Sequence, residues 1–484
     1  MAITAATSGN SSSGAVSSIG LGSGIDVEAV IAGLKKVETA QLKPLAAAAT
    51  LTNSRISEYA SLKSMMSTLS DAATKLADST GSGLWGTINA VSDNSAAVSV
   101  TATSTAASGT YDVTVSQLAR AQTVASSAMA TGTKPGAGTL TFTLGTYATG
   151  SDGRATGFTA GAAQALSVSV GAGDDLATIA GKINDASAGV TASVITDSAG
   201  QRLVFRSATT GKEAGFQVGA SGDAGIQALA FDATASGSAF QLGQDTMATV
   251  NGIAVTSATK TFSGVIPGVS MTVGQVTTAP VGVNVTKDTA GMTKAIQTFV
   301  DAYNALTTEL VSSTKYNSET KTAGTLQADT TAINMRNTLR SMVTSGVGGG
   351  VLSRLTDIGI TTTKEGLLTV DSAKLAAAMT KPDQVKALFT ANTGDGATSG
   401  IAYKMKQVAR SMLAFDGTLA TKTNSLNKLL DNNADNQTRV NNRWSAQEGR
   451  LRATYTALDA KMATLTALNA YIGQQVTSWN KSTG

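Results

Sequence analysis

The sequence contains no cysteine and no histidine in 484 residues. Those two absences exclude disulfides, thiolate and imidazole metal ligands, cysteine nucleophiles and every histidine-based dyad or triad. Carboxylate, lysine or serine chemistry is what remains, and no serine sits in a nucleophile-elbow context. An enzyme is therefore not expected, nor a cofactor or a metal. A chain without cysteine suits an oxidising space, which it can cross without cross-linking. Aromatic residues are scarce at 4%. No apolar run approaches the ~20 residues that a membrane helix needs, so membrane insertion is not expected. The first 25 residues carry no charged side chain and no apolar core segment, so they do not read as a cleaved signal peptide.

A dominant charge is lacking too. There are 36 Lys and Arg against 32 Asp and Glu, a net charge of +4, which gives no reason to expect a nucleic-acid partner. The distribution is uneven, however. Residues 400–484 hold eleven Lys and Arg against five Asp and Glu, while residues 90–280 hold eight against eleven. Opposite signs within one chain favour ordered self-association.

What the chain has is glycine, 50 in number, with abundant Ala, Ser and Thr. Its length suggests about two to four domains. Residues 1–18 are low in complexity and read as disordered, and Ile19–Ile25 reads as a glycine-rich loop. Asp26 stands where a helix N-cap belongs. Val27, Ile31 and Leu34 come next at helical spacing, then Leu42 and Leu45, with Pro44 marking a kink or break. Ile56, Tyr59, Leu62, Met66, Leu69, Ala73 and Leu76 continue at spacings of three and four, a heptad seam.

Between residues 90 and 285 the pattern changes to short alternating stretches. Val98–Thr101, Tyr111–Ser116, Thr139–Leu144, Leu166–Val170, Val190–Ile195, Arg202–Ser207 and Val250–Val255 read as strands, with Asn251-Gly252 a hairpin signal. One short helix interrupts them: Asp174 can cap it, and Leu176, Ile179, Ala180 and Ile183 share a face. The stretch 127–165 reads as low in complexity. Helix returns after Asp288, where Met292, Ile296, Phe299, Tyr303, Leu306 and Leu310 step by four and three. A helix near 326–343 and a strand at Leu367–Val370 come after it. The end is helical again: Trp444, Glu448, Leu451, Tyr455, Leu458, Met462, Leu465, Asn469, Ile472, Val476 and Trp479 hold the same 4,3 spacing throughout.

The fold class expected is α+β and multidomain: a helical coiled-coil leg formed by both chain ends, with inserted β-rich head domains. The expected division is a terminal arm at 1–45, disordered then helical; a helical leg domain at 46–90 and 288–430; a middle region of one or two β-rich domains, divided if two into an inner β-rich head domain at 91–127 and 240–287 and an outer β-rich head domain at 128–239; and a C-terminal helical arm at 431–484. Ile56, Tyr59, Leu62, Met66, Leu69, Ile296, Phe299, Tyr303, Leu306 and Leu310 are the expected leg core. Val27, Ile31, Leu34, Leu42 and Leu45 are the expected assembly seam of the N-terminal arm. Trp444, Leu451, Tyr455, Leu458, Met462, Leu465, Ile472, Val476 and Trp479 are that of the C-terminal arm. The last seam carries the functional reading, because an isolated helix is marginal in water and its apolar face is worth burying only against a partner.

Other motifs yield bland readings. Gly81-Ser82-Gly83-Leu84-Trp85-Gly86 matches a dinucleotide fingerprint in letters, but a helix precedes it and β-like sequence comes after, the reverse of what phosphate binding needs. It reads as a hinge. Asp174-Asp175 reads as a helix start rather than half of a carboxylate site. Lys404, Lys406, Arg410, Arg439, Arg443, Arg450 and Arg452 are spread over many turns with acids between them, a solvated face.

Several stretches resemble the bacterial flagellar filament capping family, also called hook-associated protein 2. They are Ile19–Val27, Tyr111–Gln122, Phe262–Val273 with its Ile-Pro-Gly-Val element, Phe299–Leu306, Leu355–Ile360 with Gly366–Asp371, and Tyr455–Asp459 to Ile472–Val476. Leu166–Val218 resembles the small repeat inserted in outer domains of flagellins and capping proteins. The resemblance implies a secreted protein at the distal tip of the flagellum, exported unfolded through the flagellar type III pathway. It implies a ring homo-oligomer, pentamer-like, that promotes flagellin folding and insertion and prevents monomer loss. The partners it implies are copies of itself, flagellin, the hook–filament junction protein, a cytosolic export chaperone on the C-terminal segment, and host mucin. The alternatives are a surface adhesin with a β-rich binding head, or another axial flagellar protein such as a junction protein.

Overall fold

The computed structural model describes residues 26–152, 154–234, 240–348, 350–394 and 398–482. The readings for residues 1–18 and Ile19–Ile25 lie outside them. In chain order the helices are α1 (Val27–Glu38), α2 (Leu42–Ala77), α3 (Leu176–Ala186), α4 (Ala224–Gln227), α5 (Thr289–Thr314), α6 (Thr330–Thr344), α7 (Ser372–Ala378), α8 (Pro382–Thr390), α9 (Ile401–Leu413) and α10 (Thr418–Ser482). The described residues form two compact units. One takes those up to Ala77, Ile296–Ala378 and those from Ala387 onward; the other takes Asp78–Ala295 with Met379–Lys386. The protein is thus α+β and multidomain, with the first and last described helices in one helical unit.

In the helical unit, α2 packs on α9 and α10, and α10 also packs on α1. Asp26 caps α1, its Oδ1 accepting from Ala29 N at 2.9 Å. The interruption before α2 is a 3-10 turn at Thr39–Gln41. Pro44 therefore does not break a helix. It lies in the first turn of α2, where a backbone N–H has no intrahelical acceptor to lose. Tyr59, Leu62, Met66, Leu69, Ile296, Phe299, Tyr303, Leu306 and Leu310 are all fully buried, and Ile56 is half-buried. Phe299 meets Phe389 of α8 edge-on, ring centroids 6.4 Å apart. Polar groups tie the same core: Tyr59 OH donates to Asp329 Oδ1 at 2.7 Å, and Lys422 Nζ lies 2.9 Å from Asp329 Oδ2. Asp329 in turn caps α6 by accepting from Thr331 N and Ala332 N.

The β-rich unit has two cores. The inner one lies between a five-stranded antiparallel sheet, in the order Ile88–Ser92, Val281–Lys287, Gly109–Gln117, Thr246–Val250, Ile253–Ser257, and a three-stranded sheet of Thr261–Ile266, Val269–Val273 and Val98–Ala102. Val98, Val113, Val115, Phe262, Met271, Val283 and Val285 fill it. Residues 250–255 are not one strand but the centre of a hairpin. Asn251 and Gly252 take φ of 49° and 80°, the left-handed pair that a two-residue turn requires. The Ile-Pro-Gly-Val element is likewise a turn. Gly268 has φ of +75°, and a Cβ there would lie 2.7 Å from Ala106 N.

The outer core is built on two four-stranded sheets and α3, around Phe142, Leu203, Phe205, Phe216, Ile179 and Ile183. The reading of 127–165 as low in complexity is corrected here. Gly138–Thr149 is the hub strand of its sheet, paired with Gly215–Gly222, Ala155–Ala160 and Leu166–Val170. Threonine and glycine between its buried Leu140, Phe142 and Tyr147 disguise the alternation. The capping of α3 is corrected too. Asp175 is the N-cap, accepting from Thr178 N at 2.8 Å, while Asp174 accepts from Gly171 N and pairs with Lys182. In the Gly81–Gly86 loop, a Cβ on Gly86 would lie 1.7 Å from Gly81 O, so close backbone approach explains the glycine.

Candidate assembly interface

Helix α10 is 65 residues long, which at 1.5 Å per residue spans about 100 Å. Its first part is covered: Leu419, Leu426, Val440 and Trp444 are buried. Val27 and Ile31 of α1 form a small cluster with Trp444, flanked by Leu451 and Tyr455. Beyond that cluster the apolar stripe continues without cover. Leu458 is 38% exposed, Leu465 56%, Ile472 50%, Val476 48% and Trp479 75%, with Met462 half-buried. Leu34 is exposed, and Leu42 and Leu45 are half-buried. Those two belong to α2, on the same continuous helix as Tyr59, and not to the helix carrying Val27 and Ile31. Leu45 O accepts from Asn433 Nδ2 at 3.0 Å.

Two residues missed by the sequence reading widen the stripe. Leu468 and Tyr471 are each more than half exposed. Leu468 lies three residues after Leu465 and four before Ile472, so admitting a third heptad position beside the strict 4,3 seam finds it. Burying one such side chain fully is worth about 1.5–3 kcal/mol. A face of several exposed large side chains on one helix is therefore a strong site for association, and a single copy of the described chain leaves it to solvent.

Charge frames the covered part. Glu28 of α1 accepts from both guanidinium nitrogens of Arg452, which also lies 3.0 Å from Glu448, and Arg443 Nε lies 2.5 Å from Glu38 Oε1. The hydrogen bond from Arg452 holds the Glu28 carboxyl below its usual range, and Arg452 itself is pushed up by Glu28 and then Glu448. These pairs are exposed, so they orient α1 on α10 more than they stabilise it. One carboxyl of the helical unit behaves differently. Glu58 on α2 has a buried Oε1 without a hydrogen-bond partner. Burial, and after it the Glu309 carboxyl of α5, push Glu58 up from 4.5 to about 7. Among the described residues no group of three or more acidic side chains could hold a metal ion, and no helix is long and apolar enough to cross a membrane.

Comparison with known proteins decides the family. Residues 23–122 match the family described as flagellar hook-associated protein 2 N-terminus, residues 243–467 that described as its C-terminus, and residues 141–209 the flagellin hook IN motif. The B-type flagellar hook-associated protein 2 of Pseudomonas aeruginosa is 30% identical over 475 residues, covering 93% of this chain and 95% of that protein. The chain belongs to the flagellar hook-associated protein 2 family. The Escherichia coli K12 member is 29% identical, covering 95% of this chain and 98% of its own length. Among solved structures, the D1-D2-D3 domains of the flagellar cap protein FliD from Escherichia coli superpose with a TM-score of 0.54 at 28% identity, covering 76% of this chain and 99% of that one. Hook-associated protein 2 relatives thus share both the helical and the β-rich parts of this chain.

Proposed function

We propose that this chain is a structural cap at the distal end of the bacterial flagellar filament, secreted and assembled there as a ring of copies. The observation that carries the reading is the uncovered apolar stripe of α10, from Leu458 to Trp479, in a member of a family whose solved relative is named a flagellar cap protein. An enzyme needs a converging set of reactive groups; this chain offers instead a long apolar face on a stiff rod. Copies of the chain and flagellin subunits are the partners whose helices would cover that face. An export chaperone would shield it in the cytosol, and the junction protein would receive the cap before the first flagellin. The outer β-rich core would offer its surface for contacts such as host mucin. Val27–Leu45 and Trp444–Trp479 are the assembly seams in this reading, with residues 1–45 and 431–484 as arms.

The contacts must also release. Ordering an arm on assembly costs conformational entropy, which subtracts from the gain on burial and leaves a modest net affinity. Alanine, threonine and methionine along the seam fit more than one partner surface. The deciding experiment is deletion of the gene with complementation. Secretion of flagellin monomers in place of filament growth, restored by the full chain but not by one truncated after Leu458, supports the reading. Normal filaments in the deletion strain would sink it. Amide exchange offers a second readout: protection should rise across 458–479 on assembly and stay unchanged in the α5 core.

A further inference from the structure

A second site lies in the helical unit, away from the stripe. A cavity of about 300 Å³ opens between the end of α5, one face of α6 and the turn of the hairpin joining Ile360–Thr362 to Leu368–Val370. Lys315, Arg336, Arg340 and Lys364 line it, against one carboxylate, Glu365. Arg336 and Arg340 are one turn apart on α6, so both guanidinium groups reach the same space. Lys364 and Glu365 are held by a tight turn in which Gly366 N donates to Thr363 O at 3.0 Å and Thr363 N donates to Leu367 O at 2.8 Å. Among the described residues none of these four cations forms an ion pair. The only side-chain hydrogen bond any of them makes there is a long one, Arg336 Nη1 to Thr314 Oγ1 at 3.4 Å. Four like charges gathered against the single carboxylate of Glu365 leave a positive excess that a bound anion would offset.

Two residues of α5 lie next to this space. Thr307, a lining residue only 3% exposed, has its hydroxyl beside the Tyr303 phenol. Tyr303, one turn earlier, has already committed its own OH to Gly366 O at 3.1 Å. The positive field is also felt by the neighbours. After its own backbone N–H and the Thr363 hydroxyl, Lys315 helps hold the Glu365 carboxyl low. Burial raises Tyr303, opposed by the nearby Thr307 hydroxyl and then by the Arg340 charge.

We propose that this cavity binds a small oxyanion of at least two negative charges, of the phosphate class, held in the fork of Arg336 and Arg340 with Lys364 and Lys315 around it. Guanidinium groups offer paired N–H donors at the spacing of two oxyanion oxygens, which a chloride ion cannot use. The cavity is large enough for a phosphate group with a small substituent and too narrow for a folded partner's element. The site does not depend on the capping role, and its test reads binding to the isolated subunit.

The experiment is calorimetric titration of the full chain with inorganic phosphate, against sodium chloride at matched ionic strength, with thermal unfolding followed in parallel. Saturable binding of one phosphate per chain, with a raised unfolding temperature that chloride does not reproduce, is the expected result. Lys364→Gln, on the exposed turn, should weaken binding about ten-fold, the scale of one charge-assisted contact. Arg336→Gln with Arg340→Gln should abolish binding. A phosphate response equal to that of chloride, or unchanged in Lys364→Gln, overturns the proposal. So does binding of a short poly-aspartate peptide with no binding of phosphate, which would make the cavity a docking point for an acidic protein segment.

Discussion

Helices α5 and α10 carry the same apolar spacing and meet opposite fates. On α5, Met292, Ile296, Phe299, Tyr303, Leu306 and Leu310 are all fully buried. On the far part of α10, Leu465, Ile472, Val476 and Trp479 are about half exposed or more. A 4,3 repeat specifies which face of a helix is apolar and says nothing about whether the cover comes from the same chain. The two helices differ in their cover. Phe389 of α8 meets Phe299, and the Ile360–Val370 hairpin bonds Tyr303 and Asn304 through Gly366 and Leu368. The far part of α10 has no such cover among the described residues. On the proposed reading stability resides in the first seam and association in the second, and substitutions should separate the two.

The largest effect is expected at Phe299. Phe299→Ala removes a fully buried ring that packs edge-on against Phe389, and should cost about 3–5 kcal/mol in urea unfolding of the isolated subunit. The matched change Leu465→Ala on α10 should leave the unfolding midpoint within error of the unchanged protein. If the two substitutions cost the same, the seams are not different in kind and α10 is covered within one copy.

Next in size comes the reverse separation. Leu465→Asp with Ile472→Asp places two charges on the exposed stripe, where the isolated subunit has no contact to lose. Circular dichroism and unfolding should be nearly unchanged, while ring formation and filament extension should fail. An assembled cap carrying both changes would show that the stripe is not the interface.

These outcomes bear on what the sequence could reveal. The long helices were legible because Val27, Tyr59, Phe299 and Trp444 each sit in an unbroken 3.6-residue rhythm, and Asp26 announced its helix by type and place. The hub strand Gly138–Thr149 was not, because a threonine-rich strand flanked by glycine lacks the contrast between apolar and polar that a period of two requires. Leu468 and Tyr471 were missed for a related reason: a strict seam of two positions in seven is narrower than the face a real helix presents. The basic cavity was illegible altogether. Lys315, Arg336, Arg340 and Lys364 come from three separate elements, and only the packing of α5, α6 and the hairpin at Ile360–Val370 brings them together.

A smaller effect should appear with pH, and it belongs to the α5 side of the comparison. Glu58 is raised in the folded protein from 4.5 to about 7, by burial and by the Glu309 carboxyl of α5. A folded state that holds the proton more tightly than the unfolded chain gains stability at low pH and loses it as pH rises. The loss should begin near pH 4.5 and be complete slightly above pH 7. The carboxyls held low, among them Asp329, Asp357 and Asp197, act in the opposite sense, their contribution being lost only as pH falls below 3.8. With no histidine in the chain, the interval between about pH 5 and 8 is left largely to Glu58. Unfolding midpoints should fall across that interval in the unchanged protein and stay level in Glu58→Gln. An equal slope in both would assign the dependence elsewhere.

The smallest effect is expected where the two seams come closest in character, at the junction of α1 and α10. Arg452 there bonds Glu28 and Glu448 on an exposed surface, and Trp444 packs beneath with Val27 and Ile31. Exposed ion pairs contribute about 0–1 kcal/mol, and salt screens them. Arg452→Gln should therefore lower stability only slightly, with the difference vanishing at high salt. Its consequence for assembly should be larger than that suggests. Glu28 and Arg452 set where α1 lies along α10, and therefore how much of the stripe beyond Tyr455 is presented. Amide exchange at Val27–Glu38 should speed up in Arg452→Gln while that of α5 is unmoved. If α5 exchange rises equally, the junction is part of the same cooperative core, and the division between the two seams falls further along α10 than Trp444.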